Sequence, residues 1–133
     1  MAGDLESRLV ELFQTDPHGV AAVYLFGSTA RGTAGADSDV DVAVLLAKTP
    51  PATFDQQPYG LEGLLERALG RTVDLVVLNR APVDLRSRVL RDGRLLVDRD
   101  PSTRIRFEVQ TRNEAFDLDP ILRRYRSPRE ERR

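Results

Sequence analysis

Two aspartates stand at the start of an apolar segment that has the character of a β-strand. Asp39 and Asp41 begin a run that continues as apolar residues through Leu46. Aspartate is unfavourable inside a strand, because its strand propensity is low and an unpaired buried carboxylate is costly. Side chains alternate along a strand, so these two project from the same face, with Cα atoms roughly 6–7 Å apart. Carboxylates at that separation repel each other unless a cation lies between them.

A third aspartate repeats the anomaly further along the chain. Asp74 interrupts the apolar segment Val73–Leu78, and three carboxylates converge if this segment pairs beside the first. Hard oxygen ligands suit Mg²⁺ or Mn²⁺, whereas the lack of cysteine and the single histidine disfavour zinc. Two such ions would clamp an in-line phosphoryl displacement. Taken singly, each aspartate also fits a structural role, as a turn cap at Asp39, an exposed sheet end at Asp41 and a strand start at Asp74.

A glycine–serine pair directly follows the first predicted strand. Gly27 and Ser28 come after the apolar segment Val20–Phe26. Glycine lets the backbone approach a phosphate closely, and the serine hydroxyl can donate to phosphate oxygens. Arg31 supplies a charge that neutralises phosphate. The segment lacks the lysine of a P-loop and the chain has no G-x-G-x-x-G. For the pair alone, the alternative is an ordinary turn.

The apolar periodicity predicts helices and strands in the order α, β, loop, β, α, β, α, β, α. The helices are predicted at Asp4–Thr15 (with Asp4 as N-cap), at Leu61–Leu69, from Pro82 to Asp92-Gly93, and from Asp100-Pro101 to about Tyr125 with a break near Pro120; the strands are predicted at Val20–Phe26, Asp39–Leu46, Thr72–Leu78 and Arg94–Val97. This order predicts an α+β fold with α/β-like alternation. We expect a small mixed sheet of about four strands, covered by helices mainly on one face.

The composition is that of a soluble globular protein. The chain has 133 residues, enough for one hydrophobic core and too few for two, so we expect a single domain over 1–133 with a basic tail at 126–133. That tail is expected to be solvated or frayed, or to dock an acidic partner or a nucleotide. The net charge of −1 gives no bulk attraction for nucleic acid or an anionic membrane. With no apolar run long enough to cross a bilayer, we expect a cytoplasmic location.

The spacing of these residues resembles a known signature. Gly27-Ser28, ten intervening residues and Asp39-Val40-Asp41 resemble the G-S-x(10)-D-x-D motif of the DNA polymerase β-like nucleotidyltransferase superfamily. Within it, the chain resembles the minimal nucleotidyltransferase (MNT) antitoxins of HEPN–MNT toxin–antitoxin pairs. Three further segments carry this likeness: Leu25–Ser28, Ala30-Arg31-Gly32 and Val73-Asp74-Leu75.

The resemblance implies a polymerase β-like fold and a transferase activity. It implies that AMP is transferred from ATP to a hydroxyl and that pyrophosphate is released. Asp39 and Asp41 would bind two Mg²⁺ ions, while Asp74 would complete one metal site and help to deprotonate the attacking hydroxyl. Gly27 and Ser28 would bind the ATP triphosphate.

The resemblance also implies a partner. Arg31 would lie near the triphosphate, and the acceptor would be a tyrosine of a cognate HEPN ribonuclease toxin, which adenylylation silences. ATP and that toxin are then the partners, with no direct binding of nucleic acid or membrane. The alternatives are an antitoxin that masks the toxin without catalysis, a nucleotide-binding module without transfer activity, and a small-molecule transferase of the aminoglycoside type. The last normally carries an added helical domain, for which the chain after Leu78 is short.

Overall fold

The fold is built on a four-stranded mixed sheet. The computed structural model describes residues 2–14, 19–27, 39–48 and 60–126, with side chains described from residue 5 to residue 116 within those ranges. The strands are β1 (Val20–Leu25), β2 (Val40–Leu46), β3 (Val73–Val77) and β4 (Arg94–Asp98). They lie in the order β3-β2-β1-β4, with β1 antiparallel to β2 and β4, and β2 parallel to β3.

The helices follow the predicted order, with differences at their ends. They are α1 (Ala2–Gln14), α2 (Leu61–Leu69), α3 (Val83–Asp92) and α4 (Pro101–Arg126). The predicted N-cap at Asp4 is wrong, because α1 begins two residues earlier, and α4 continues past position 120 without the predicted break. None of the helices described is both long and apolar enough to span a membrane.

The end of α2 shows how local sequence sets an element boundary. Gly70 follows the helix with a φ of 65°, and its N–H donates to the Glu66 carbonyl at 2.8 Å. A left-handed residue at this position closes a helix by satisfying one of its last carbonyls, and glycine adopts it without a Cβ penalty. The predicted stop at Gly70 is confirmed.

Helices cover both faces of the sheet, so the prediction of cover mainly on one face is wrong. On one face, Leu9 and Phe13 of α1 and Leu65 of α2 pack against β1, β2 and β3. On the other, Val89 of α3 and Phe107 of α4 pack against β1 and β2. The physical reason is visible in β1, where all six residues are buried. A continuously apolar strand is typical of a sheet that is covered on both sides.

The outer edge of the sheet at β3 is closed by two carboxylates of α2. The Val73 N–H donates to Glu66 Oε2 at 2.9 Å, and the Leu75 N–H donates to Glu62 Oε2 at 3.2 Å. Edge strands otherwise present a row of unpaired N–H groups to solvent or to another chain. These two bonds fix β3 on either side of Asp74.

We expect Glu66→Ala to lower the free energy of unfolding by about 1–2 kcal/mol, because it leaves the Val73 N–H without its charged acceptor. Glu11→Ala is the matched control, since Glu11 is an exposed glutamate on α1 and its loss should change stability by less than about 0.5 kcal/mol. Urea denaturation of both variants measures the difference. Equal effects would show that the edge hydrogen bond contributes nothing.

A buried tyrosine joins β1 to α4. Tyr24 is 3% exposed, and its hydroxyl donates to Glu108 Oε2 at 2.8 Å. The Arg104 guanidinium pairs with both Glu108 Oε1, at 3.1 Å, and Asp98 Oδ2, at 3.0 Å. Burial first, and then the hydrogen bond to Glu108, raise the pKa of Tyr24 well above its usual range. The prediction that Tyr24 is a core residue is confirmed.

The raised pKa of Tyr24 predicts a loss of stability at alkaline pH. An unfolded tyrosine loses its proton near pH 10, while the folded protein keeps it, so the stabilisation is complete below about pH 10 and declines above it. The decline should approach about 1.4 kcal/mol per pH unit. Urea denaturation between about pH 8 and pH 11 should show a shallower decline for Tyr24→Phe than for the wild type. If the free energy of unfolding falls equally with pH in both proteins, the decline does not come from the raised pKa of Tyr24.

Candidate active site

The parallel pairing of β2 and β3 brings two of the predicted site residues side by side. Asp41 and Asp74 are register partners, and neighbouring strands lie about 4.8 Å apart. Both residues alternate with buried ones, Val40 and Val42 in β2 and Val73 in β3, so both carboxylates project from the opposite face. Asp41 is half-buried and Asp74 is exposed. The strand pairing on which the predicted convergence depends is therefore present.

Asp39 lies just outside this pair. It is exposed and directly precedes β2, which begins at Val40 rather than at the predicted position 39. The Val40 N–H donates to the Thr72 carbonyl at 2.9 Å, which aligns the starts of β2 and β3. Within the ranges described, no three carboxylate or histidine side chains are gathered closely enough to enclose a metal ion. The roles of Asp39, Asp41 and Asp74 as metal ligands stay predictions.

Gly27 approaches the Asp41 carboxylate where β1 ends. The Phe26 N–H donates to the Asp41 main-chain carbonyl at 3.1 Å. Gly27 has a φ of 64°, and a Cβ added to it would lie 2.4 Å from Asp41 Oδ2 and 3.1 Å from Asp41 Cγ. Both the backbone conformation and the space occupied by the carboxylate therefore require glycine. The predicted phosphate-binding turn begins in contact with the predicted metal ligand.

The remaining predicted residues fall outside the part of the chain that the structure describes. Ser28 and Arg31 lie in the gap 28–38, and the tail 127–133 is also outside. The roles of Ser28 and Arg31 in binding ATP stay predictions, and so does the solvated or docking role of the tail.

The donor chemistry at this end of the sheet fits Mg²⁺. Asp41 and Asp74 offer hard carboxylate oxygens from adjacent strands, which is the ligand type that Mg²⁺ prefers. Two neighbouring anionic groups repel each other, and a divalent cation relieves that repulsion. Asp41 Oδ2 occupies the space that a side chain at position 27 would need.

Sequence reasoning missed a second glycine contact near this site. The pair Asp92-Gly93 predicts only the end of α3. A Cβ at Gly93 would lie 2.4 Å from the Val89 carbonyl and 2.9 Å from the Leu25 carbonyl. The turn from α3 into β4 is therefore packed against the last residue of β1, directly before Phe26 and Gly27. The signal in the sequence was the Asp-Gly pair, which does not reveal this contact.

Adjacent strand aspartates that face the glycine turn of a preceding strand are the arrangement predicted for nucleotidyl transfer, and the family match shows that the chain is a nucleotidyltransferase. Residues 7–102 match the family described as polymerase beta, nucleotidyltransferase. The chain is similar to the protein adenylyltransferase MntA of Shewanella oneidensis, at 34% identity over 91 residues. These residues are 68% of this chain and 63% of that relative, so the match spans less than two thirds of the relative's length.

Solved structures extend the likeness to almost the whole chain. A crystal structure of a toxin–antitoxin with AMP-PNP contains a chain that matches at 28% identity with a TM-score of 0.71, over 92% of this chain and 98% of that one. A structure of the tri-AMPylated Shewanella oneidensis HEPN toxin in complex with its MNT antitoxin matches at 25% identity and a TM-score of 0.68, over 96% and 100% of the two chains. The resemblance and the fold predicted from the sequence are confirmed.

Proposed function

We propose that this protein is an antitoxin that transfers AMP from ATP to a tyrosine hydroxyl of a cognate HEPN toxin, in a reaction that depends on Mg²⁺. The observation that carries the proposal is the pairing of Asp41 with Asp74, with Gly27 held against the Asp41 carboxylate. The similarity to a protein adenylyltransferase and to the antitoxin of a tri-AMPylated toxin supports the donor and the class of acceptor.

The carboxylates have distinct roles in this proposal. Asp39 and Asp41 would hold two Mg²⁺ ions, and Asp74 would complete one of the metal sites. When bound, the ions supply positive charge that stabilises the charge developing on the transferred phosphoryl group. Asp74 accepts the proton of the acceptor hydroxyl as its oxygen forms a bond to the α-phosphorus. The exposure of Asp74 at the sheet edge, where an acceptor can approach, supports this role.

The glycine turn binds the other part of the substrate. The backbone at Gly27 and the Ser28 hydroxyl bind the triphosphate, and Arg31 neutralises its charge. The bond between the α-phosphorus and the oxygen that bridges to the β-phosphorus breaks, and pyrophosphate leaves. The positive φ of Gly27 supports this role, because it turns the backbone sharply where β1 ends.

Labelled ATP tests the proposal. Incubation of the protein with a HEPN toxin, Mg²⁺ and ATP labelled at the α-phosphate should label the toxin, whereas ATP labelled at the γ-phosphate should not. Removal of divalent cations with EDTA should abolish the labelling, and added Mg²⁺ should restore it. Labelling from the γ-phosphate would indicate phosphoryl transfer instead, and undiminished labelling in EDTA would contradict the metal requirement.

A further inference from the structure

The outer face of α4 exposes large apolar side chains. Ile105 is 49% exposed, Val109 is 48% exposed and Phe116 is 79% exposed. Single exposed apolar residues are common on soluble proteins, but several aligned on one helix mark an interaction surface.

The spacing of these residues is that of a helix–helix seam. Ile105, Val109, Arg112 and Phe116 are separated by four, three and four residues, which is the repeat of core positions in a coiled coil. We call these four residues the α4 seam. The opposite face of the helix is already in use, because Thr111 is buried and Phe107 packs on the core of the α3–α4 face. Helix α4 therefore contacts its own domain on one side and presents a second packing surface on the other.

The charges around the α4 seam are positive. Arg106 and Arg112 are both exposed. Arg106 donates to Thr103 Oγ1 at 3.4 Å, and Arg112 has a long contact of 3.9 Å with Glu108.

Two carboxylates on this helix have partners within the domain. Glu108 also pairs with Arg104, and Glu114 pairs with Arg86 at 2.6 Å. Of the α4 carboxylates whose side chains the structure describes, Glu108 and Glu114 are therefore already paired within the domain, so this stretch of the seam suits an acidic partner.

A second copy of this chain is a poor occupant. Two α4 seams packed together would each present Arg112 within the seam and Arg106 beside it, so these arginines of one copy would meet like charges on the other. Like-charge juxtaposition disfavours a complex, whereas a partner with aspartate or glutamate beside its apolar residues is favoured.

We propose that the α4 seam docks an amphipathic helix of the HEPN toxin, one with an apolar stripe bordered by acidic residues. This rests on the proposed function, in which the toxin is the acceptor. The docking surface would then be separate from the active site, because the α4 seam contains none of the residues proposed to carry out the transfer.

The test is binding of the HEPN toxin to the full-length protein in the absence of ATP, measured by calorimetry. Val109→Asp, which introduces a charge into the centre of the seam, should weaken binding by about 100-fold or more. Leu64→Asp is the matched control, since Leu64 is also 48% exposed but lies on α2, which packs on the other face of the sheet; its affinity should stay within about threefold of the wild type. Arg112→Glu should weaken binding by about tenfold at low salt, and by less at high salt.

Three results would overturn the docking proposal: equal affinity of Val109→Asp and Leu64→Asp, no binding of the toxin by the wild type, or a homodimer of the free protein that Val109→Asp dissociates. Circular dichroism and AMP-PNP binding are the controls that check whether Val109→Asp is folded and binds nucleotide. Asp41→Asn separates the two proposals, because it should bind the toxin normally without transferring AMP. If Asp41→Asn still transfers AMP, the proposed catalytic role fails, while the docking surface is judged by Val109→Asp alone.

Discussion

Asp41→Asn should reduce AMP transfer by about 10³-fold or more while the protein stays folded. A bound metal ion contributes several kcal/mol of transition-state stabilisation, and each 1.4 kcal/mol corresponds to a factor of ten in rate. Asparagine keeps the size of the side chain and removes its negative charge. The backbone hydrogen bond from Phe26 to residue 41 uses the main-chain carbonyl, so it is retained. The rate of label transfer from ATP to the toxin measures the effect, and thermal unfolding checks the fold.

Asp84→Asn is the control for the loss of one negative charge. Asp84 is exposed on α3, at 3.9 Å from Arg88, so the Asp84→Asn variant should transfer AMP at the rate of the wild type. An Asp41→Asn variant with undiminished transfer would remove Asp41 from the metal site. If the variant transfers no AMP but still neutralises the toxin fully, the antitoxin acts by masking, and catalysis is not its mechanism.

Gly27→Ala should impair both stability and activity. Alanine in the left-handed region costs about 1–2 kcal/mol, and its Cβ would lie 2.4 Å from Asp41 Oδ2. The Asp41 carboxylate must then move, and a displacement of about 1 Å at a reacting centre can lower a rate by about 10²-fold. We therefore expect a loss of AMP transfer of about that size at saturating ATP.

Gly70→Ala isolates the steric part of this effect. Gly70 has nearly the same φ, 65°, and a Cβ there would meet no atom within 4 Å. Both variants should lose about the same stability from backbone strain, but only Gly27→Ala should lose activity. Comparable activity in the two variants would show that the contact between Gly27 and Asp41 has no part in the reaction.

The elements that could be predicted from sequence are those with local determinants. The amphipathic period and the terminal Gly70 define α2, and the glycine before Val20 together with continuous apolar residues defines β1. The prediction that helices cover mainly one face is wrong because it is based on the order of the elements. The continuous apolar residues of β1, all of them buried, indicate helices on both sides. Element order alone does not decide this.

The site was predictable only in part, because strand order is a non-local property. The spacing of Asp39 and Asp41 identifies one strand, but the register that pairs Asp41 with Asp74 depends on a parallel crossover through α2. The carboxylates of Glu62 and Glu66, which hold the β3 edge beside Asp74, carry no signal in the sequence. Glutamates on the surface of a helix look the same whether they face solvent or a neighbouring strand.

The most direct test of the central claim is intact-mass and fragment-ion analysis of the HEPN toxin after incubation with this protein, ATP and Mg²⁺. We predict that the toxin gains one or more AMP adducts on tyrosine, and that Asp41→Asn produces none. A toxin of unchanged mass in the presence of the folded wild-type protein, or adducts that form equally with Asp41→Asn, would contradict the assignment of the paired aspartates to nucleotidyl transfer.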